Sequence, residues 1–195
     1  MSETFRAFIA IDLPESVKSF LSEAQAALKL YGFRIKWVRL QNIHLTLKFL
    51  GDTAIADSDK IAEAMALAAR NCPAVSLAAK GVGVFPDVRR PRVIWAGLNG
   101  QLEILANLQQ TLDAHLADLG FPRETRAFKS HLTLGRVKGK IASARIKAAI
   151  DKLKEFESGS FEINQLILFK SELRSTGAVY TKVQGIASQG QSQKG

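Results

Sequence analysis

Two of the three histidines in this chain belong to the same tetrapeptide, His-Leu-Thr-Leu, which occurs at residues 44–47 and again at residues 131–134. Side chains of a β-strand alternate between its faces, so each copy would present His and Thr on one face and both leucines on the other. Two imidazoles can act as general acid and general base, and two hydroxyls can donate hydrogen bonds to substrate oxygens. The repeat therefore predicts a site for proton transfer that has no carboxylate or thiol within the motif.

Displacement at a phosphodiester is the chemistry that this set of side chains suits best. The attacking oxygen needs a base, and the leaving oxygen on the opposite side of phosphorus needs an acid. Hydrogen-bond reach from both sides would place the two imidazoles roughly 6 to 9 Å apart. A single histidine on a half-buried strand is more often a hydrogen-bonded structural residue, so either copy alone would mean little.

Regular alternation also assigns faces to the residues beside the motifs. In the first copy the leucine face continues to Phe49, whereas Lys48 shares the polar face with His and Thr, where it could contact an anionic substrate. In the second copy, regular alternation would place Arg136 on the same face as the leucines. It can reach a phosphate only if Gly135 ends or bulges the strand, which glycine permits.

With both motifs in place, the sequence resembles the 2H phosphoesterases, named for two His-x-Thr motifs. Within them it is similar to the bacterial and archaeal RNA 2′,3′-cyclic phosphodiesterases once called 2′-5′ RNA ligases. The resemblance extends over nearly the whole chain. It is carried by RAFIAIDLP (6–14), NIHLTLKFLG (42–51), GVGVFPDVRRPRVIWAGL (81–98), SHLTLGR (130–136) and LILFKSELRSTGAVYT (166–181).

The resemblance implies hydrolysis of RNA 2′,3′-cyclic phosphate ends to 2′-phosphomonoesters, without a metal or other cofactor. It implies that His44 is the proton donor to the leaving 3′ oxygen and that His131 is the base that activates water. Thr46 and Thr133 would then hold the phosphoryl oxygens, with Arg136 as a further candidate. The implied fold is α+β and two-lobed, with pseudo-twofold symmetry, antiparallel sheets, outer helices and a central cleft.

Three alternatives remain open on the sequence. In the reverse direction, the same displacement at phosphorus would join a cyclic phosphate end to a 5′-hydroxyl end, which is 2′-5′ ligation. A metallohydrolase could use His44, His115 and His131, although no HxH or HExxH spacing supports it. The chain could also be a non-catalytic RNA-binding module.

Length and composition fit a globular protein with an anionic partner. The 195 residues are 47% hydrophobic and carry a net charge of +9, and the single cysteine, Cys72, excludes an intrachain disulfide. The amino terminus is neither a signal peptide nor a membrane span, and no later stretch reaches spanning length, so we expect a cytoplasmic protein without a membrane partner. The sequence is silent on oligomeric state, and a monomer is the working expectation.

Hydrophobic spacing predicts that residues 1–186 form one two-lobed catalytic domain and that 187–195 are a disordered tail. Helices are expected over 15–32, 58–70, 101–119 and 142–156, with strands between them and a final turn at 175–177. Two basic loops, 85–92 and 120–129, offer Arg90 and Arg126 as RNA contacts in addition to Lys48. For the first loop a solvated turn is an equally good explanation. Whether the substrate is an RNA end or a small cyclic nucleotide is left open.

Overall fold

In the computed structural model, which describes residues 3–175 and 177–188, helices separate groups of one to three strands. Within these residues the strands are β1 (Thr4–Asp12), β2 (Ile35–Trp37), β3 (His44–Ala54), β4 (Ser76–Phe85), β5 (Val93–Gly100), β6 (Leu132–Val137), β7 (Phe161–Glu162), β8 (Gln165–Arg174) and β9 (Gly177–Ala187). The helices of the same residues are α1 (Glu15–Lys29), α2 (Ser58–Arg70), α3 (Leu102–Asp118) and α4 (Ser143–Lys152). The predicted helix over 58–70 is confirmed at both ends, and the other three fall inside their predicted ranges.

The strands pair antiparallel in the order β7-β4-β5-β6-β3-β1-β8-β9, with β2 added beside β6. The two motif strands, β3 and β6, are therefore central neighbours with three further strands on the outer side of each. Their ladder contains one pair, Leu45 with Leu132. The segments β1-α1-β3 and β5-α3-β6 occupy equivalent places on the two sides of this seam, as expected for a pseudo-twofold α+β fold. The resemblance implied separate antiparallel sheets, whereas the described strands form one sheet.

The helices cover the face of the sheet that carries the motif leucines. Leu45, Leu47, Leu132 and Leu134 are all buried in one large apolar cluster together with the inward faces of the helices. α2 packs against α3 and against β8 and β9, while α4 packs against β4. In the described part of the chain, none of the helices combines the length and the apolar character needed to cross a bilayer.

A second, smaller apolar cluster lies on the opposite face of the sheet, beside the first motif. It consists of Phe8, Ala10, Ile167 and Phe169, with Tyr180 packed against it. Strands β1 and β8 are thus buried on both faces, which explains why they read as continuous apolar runs.

Bulges interrupt the regular alternation of both motif strands. In β3, Thr46 pairs with Ala10 and Lys48 pairs with Ile9, so Leu47 is an extra residue. In β6, Thr133 pairs with Trp95 and Gly135 pairs with Ile94, so Leu134 is the extra residue. Each bulge reverses the face assignment of the residues that follow it.

Two residues of the predicted tail, Ala187 and Ser188, belong to the fold. Ala187 ends β9, and Ser188 is buried, with its backbone N–H donating to the Asn164 carbonyl (2.9 Å) and its hydroxyl donating to the Ile163 carbonyl (2.5 Å). The remainder of the predicted tail, 189–195, and Thr176 of the predicted final turn lie outside the described residues.

Candidate active site

The two motifs meet across the seam of the sheet. Because β3 and β6 run antiparallel through the pair Leu45 and Leu132, His44 lies beside Thr133 and Thr46 lies beside His131. Standard strand spacings put the Cα atoms of the two histidines about 8 Å apart on the diagonal of this arrangement. All four side chains line one cleft of about 440 Å³. That volume lies within the range of small-ligand sites.

Main-chain carbonyls orient both imidazoles in the same way. Nδ1 of His44 lies 2.9 Å from the Asn42 carbonyl oxygen, and Nδ1 of His131 lies 2.7 Å from the Lys129 carbonyl oxygen. A carbonyl only accepts hydrogen bonds, so each Nδ1 carries a proton and donates it. Each Nε2 therefore remains available for proton transfer in the cleft.

Aromatic rings enclose His44. Its ring centroid lies 4.8 Å from that of Phe8 and 5.3 Å from that of Tyr180, and the Tyr180 ring meets it edge-on. Burial among these rings lowers the pKa of His44 from 6.5 to about 4. The hydrogen bond to the Asn42 carbonyl and the charge of Asp12 oppose this effect, whereas the electrostatic interaction with His131 adds to it. In the free protein at neutral pH, His44 is therefore neutral.

The cleft is lined by cations and, among the described residues, by no carboxylate. Its basic members are Arg6, Lys36, Arg39, Arg136 and Lys138. Eighteen Asp and Glu residues occur in the chain, so their absence from this lining is a strong compositional bias. A cleft of this kind favours an anionic ligand.

One family model, the LigT-like phosphoesterases, matches the chain over residues 11–95 and again over 98–180. The chain belongs to the LigT-like phosphoesterase family. The boundary between the two matches lies within β5, between Trp95 and Leu98. Each match therefore contains one His-x-Thr motif.

Relatives and solved structures agree with this family. The chain is 35% identical over 179 residues to an RNA 2′,3′-cyclic phosphodiesterase of Methanothermobacter thermautotrophicus, covering 92% of this chain and 96% of the relative. It is 37% identical over 177 residues to the RNA 2′,3′-cyclic phosphodiesterase of Methanocaldococcus jannaschii, covering 90% and 96%. The crystal structure of TT0787 of Thermus thermophilus superimposes with a TM-score of 0.78 at 27% identity, covering 95% of this chain and 99% of the other.

The structure of this LigT-like phosphoesterase corrects the predicted orientation of Lys48. Beyond the Leu47 bulge its side chain enters the core, where Nζ pairs with an Asp113 carboxylate oxygen and donates to the Pro122 carbonyl (2.5 Å). Phe49 takes the opposite face, so its predicted place in the apolar row is also wrong. Its side chain is 71% exposed and lines the cleft.

Arg136 reaches the cleft because β6 is bulged just before it, as the sequence required for this residue to leave the leucine face. The Leu134 bulge turns it from the leucine face to the histidine face, where it lines the cleft near Tyr180. Burial raises the pKa of Tyr180, and the positive charge of Arg136 opposes that rise. Arg136 therefore adds a positive charge to the cleft that the two histidines line.

The other predicted contacts are not brought to the cleft. Arg90 is exposed in the β4–β5 connection, and Arg126 is exposed beside Glu124 in the loop before β6. RNA contact by either residue stays a prediction. His115 lines a different cavity, between α2 and α3, so the three histidines do not form one site. Within the described residues no cluster of three or more His, Cys, Asp or Glu side chains is arranged to hold a metal ion.

Several cleft residues have no sequence signal that would have identified them. Phe8 and Tyr180 lie far from the motifs along the chain and reach His44 only because β1 and β8–β9 are added beside β3. Lys138 becomes a cleft residue only through the pairing of β2 with β6.

Replacing Gly135 by Ala should disturb both stability and the placement of Arg136. A Cβ atom at this position would lie 2.5 Å from Ile35 Cγ2 and 3.1 Å from the Trp37 ring. Relief of such a clash typically costs about 1–3 kcal/mol. Denaturant unfolding and kcat/KM measure the two effects. Gly159→Ala is the matched control because a Cβ there meets nothing within 4 Å, and equal behaviour of the two variants would contradict the expectation.

Burial of neutral His44 should make this LigT-like phosphoesterase sensitive to acid. Below the unfolded-state pKa of 6.5 the unfolded chain binds a proton that the folded protein does not bind until about pH 4. Stability contributed by this site is therefore complete above pH 6.5 and falls by about 3 kcal/mol on the way to pH 4. We expect His44→Asn to flatten the pH dependence of the unfolding free energy over this window. Lys60→Gln, on the exposed face of α2, should follow the wild type.

Proposed function

We propose that this protein hydrolyses RNA 2′,3′-cyclic phosphate ends to 2′-phosphomonoesters by two-histidine acid–base catalysis without a metal. The observation that carries the proposal is the diagonal pair of imidazoles, each with a free Nε2, flanked by two threonine hydroxyls in a cleft of positive charge. The names of the two relatives, which cover nearly the whole chain, support the same substrate.

In the proposed reaction, water attacks phosphorus while His131 Nε2 accepts its proton. The bond from phosphorus to the 3′ oxygen breaks on the opposite side, and His44 Nε2 gives its proton to that oxygen. The product carries a 2′-phosphate and a 3′-hydroxyl. Thr46 and Thr133 would donate to the non-bridging oxygens, and Arg136 would balance the charge that develops on them. Proton exchange with solvent then restores the starting protonation of both rings.

His44 must be protonated to act as the acid, although it is neutral in the free protein at pH 7. A cyclic phosphodiester is an anion, and an anion beside the ring raises its pKa. We propose that the substrate itself brings His44 into the protonated state. The same effect would couple binding to proton uptake.

An NMR titration of the histidine ring protons tests this coupling directly. In the free protein, His44 should titrate near pH 4. Saturating inorganic phosphate, a stand-in for the anionic centre of the substrate, should move its midpoint upward by about one to three pH units, the usual effect of an opposite charge. A midpoint that stays near 4 with phosphate bound would assign the acid to another group.

The reaction is tested by incubating a short RNA that ends in a 2′,3′-cyclic phosphate with the protein in excess chelator. A 2′-phosphate product supports the proposal. Loss of activity in chelator would point to a metal. A 3′-phosphate product would mean that the bond from phosphorus to the 2′ oxygen breaks instead. Supplying a second RNA with a 5′-hydroxyl end tests ligation in the same assay. An unchanged cyclic end on RNA that remains bound would favour the non-catalytic binding module.

A further inference from the structure

Basic side chains continue from the histidine pair along the ladder between β2 and β6. Lys36 pairs with Arg136 across this ladder, and Lys138 follows β6 with its backbone N–H donating to the Arg34 carbonyl (2.8 Å). All three side chains are exposed and line the cleft. Among the described residues none of the three forms an ion pair with a carboxylate, and we refer to them as the basic strip.

The strip lies beyond one particular end of the site. Along β6 the chain runs from His131 past Thr133 to Lys138, in the direction opposite to β3. Strand β6, and the basic strip with it, therefore leaves the site at the end where His44 and Thr133 are neighbours. The opposite end, beyond Thr46 and His131, leads instead to exposed Phe49.

That position relates the strip to one part of the substrate. In the proposed function His44 protonates the 3′ oxygen, so the terminal ribose lies on the His44 side of phosphorus. An RNA chain continues from this ribose through its 5′ oxygen to the next phosphate. The upstream backbone then leaves the cleft over the strip, whereas a mononucleotide has nothing that reaches it.

We propose that the basic strip binds the backbone phosphates upstream of the cyclic end, so that the preferred substrate is an oligonucleotide and not a cyclic mononucleotide. This inference rests on the proposed function. Three unpaired cations in a row suit a flexible polyanion, because each phosphate neutralised releases condensed counterions. Backbone contacts of this kind position a strand without reading its sequence. The inference therefore predicts little dependence on base identity upstream.

Salt dependence separates the two substrate classes. We would measure kcat/KM for a nucleoside 2′,3′-cyclic phosphate and for a tetranucleotide ending in the same cyclic nucleoside, at 50 and 200 mM salt. Two phosphate contacts to a single strand should make the tetranucleotide lose about sevenfold more than the mononucleotide. The double substitution Lys36→Gln and Lys138→Gln should abolish this extra loss and lower the ratio of tetranucleotide to mononucleotide kcat/KM at low salt.

Taking the ratio within each variant removes effects of folding yield, which enter both substrates equally. Arg136 is left unchanged because, unlike the two lysines of the strip, it also takes part in the proposed reaction. The control is Lys152→Gln with Lys154→Gln, two exposed lysines outside the cleft, which removes the same charge and should keep the wild-type ratio. Equal salt slopes for both substrates, or a ratio unchanged by the strip variant, would overturn the inference and leave the proposed function standing. If neither cyclic end is hydrolysed, both the inference and the proposed function are wrong.

Discussion

Replacing His131 by Asn should lower kcat by about 10²–10⁴-fold while the protein stays folded, because general acid–base catalysis of one step contributes that much. Asparagine keeps an N–H that can donate to the Lys129 carbonyl, as Nδ1 does now, and removes only the reactive Nε2. His44→Asn should have a loss of the same order for the same reason. Steady-state hydrolysis of a nucleoside 2′,3′-cyclic phosphate measures both.

The two losses should not add. Once either proton transfer is missing, the other imidazole has little left to contribute, so the double variant should be close to the worse single variant. His115→Asn on α3 is the matched control, and it should keep wild-type kcat because its side chain lies outside the cleft. A His44 or His131 variant with more than about a tenth of wild-type kcat would contradict the two-histidine mechanism.

Replacing Lys48 by Met should destabilise the protein by about 3–5 kcal/mol, the usual cost of leaving one member of a buried ion pair alone. The side chains of Lys48 and Asp113 are only 7% and 12% exposed. Asp113 also accepts from the Glu124 backbone N–H at 3.2 Å, and Lys48 donates to the Pro122 carbonyl. Without the lysine, the Asp113 charge would stay buried with too few partners.

Denaturant unfolding of a small set of variants tests this ion pair. Lys48→Met with Asp113→Leu should recover much of the loss because no charge is then left unpaired. Lys60→Met, which breaks the exposed pair of Lys60 with Asp57, is the matched control and should cost no more than about 1 kcal/mol. Equal costs for Lys48→Met and Lys60→Met would mean that the buried pair contributes little. Since Pro122 belongs to the loop that leads to His131, kcat of the double variant would show whether the pair also positions that histidine.

Local alternation was sufficient to place the motif residues themselves. His44 and Thr46 share the cleft face and their leucines lie in the core, because the bulge of β3 begins only at the last motif residue, Leu47. Local alternation failed after Leu47, where Lys48 and Phe49 exchange faces. A bulge is a property of the ladder with a partner strand, and β1 is more than thirty positions away in the sequence. Nothing in the tripeptide around Leu47 signals it.

The second motif shows where sequence reasoning can anticipate such an interruption. Gly135 marked the one position of β6 at which a strand could change face, and Arg136 depends on that change. The enclosure of His44 by Phe8 and Tyr180 had no comparable marker. It arises from the order of strands in the sheet, so the low pKa of His44 became evident only with the fold.

Both imidazoles are oriented by peptide groups, Asn42 and Lys129 contributing only their carbonyl oxygens. Side chains at positions 42 and 129 can therefore be exchanged without removing the acceptor that fixes each tautomer. In enzymes whose histidine depends on an aspartate, a single substitution can eliminate that support. Here mutation can alter the rings only indirectly, through their aromatic surroundings or through the local path of the backbone, which the Asn42 side chain helps to fix by donating to the Ala178 carbonyl (2.8 Å).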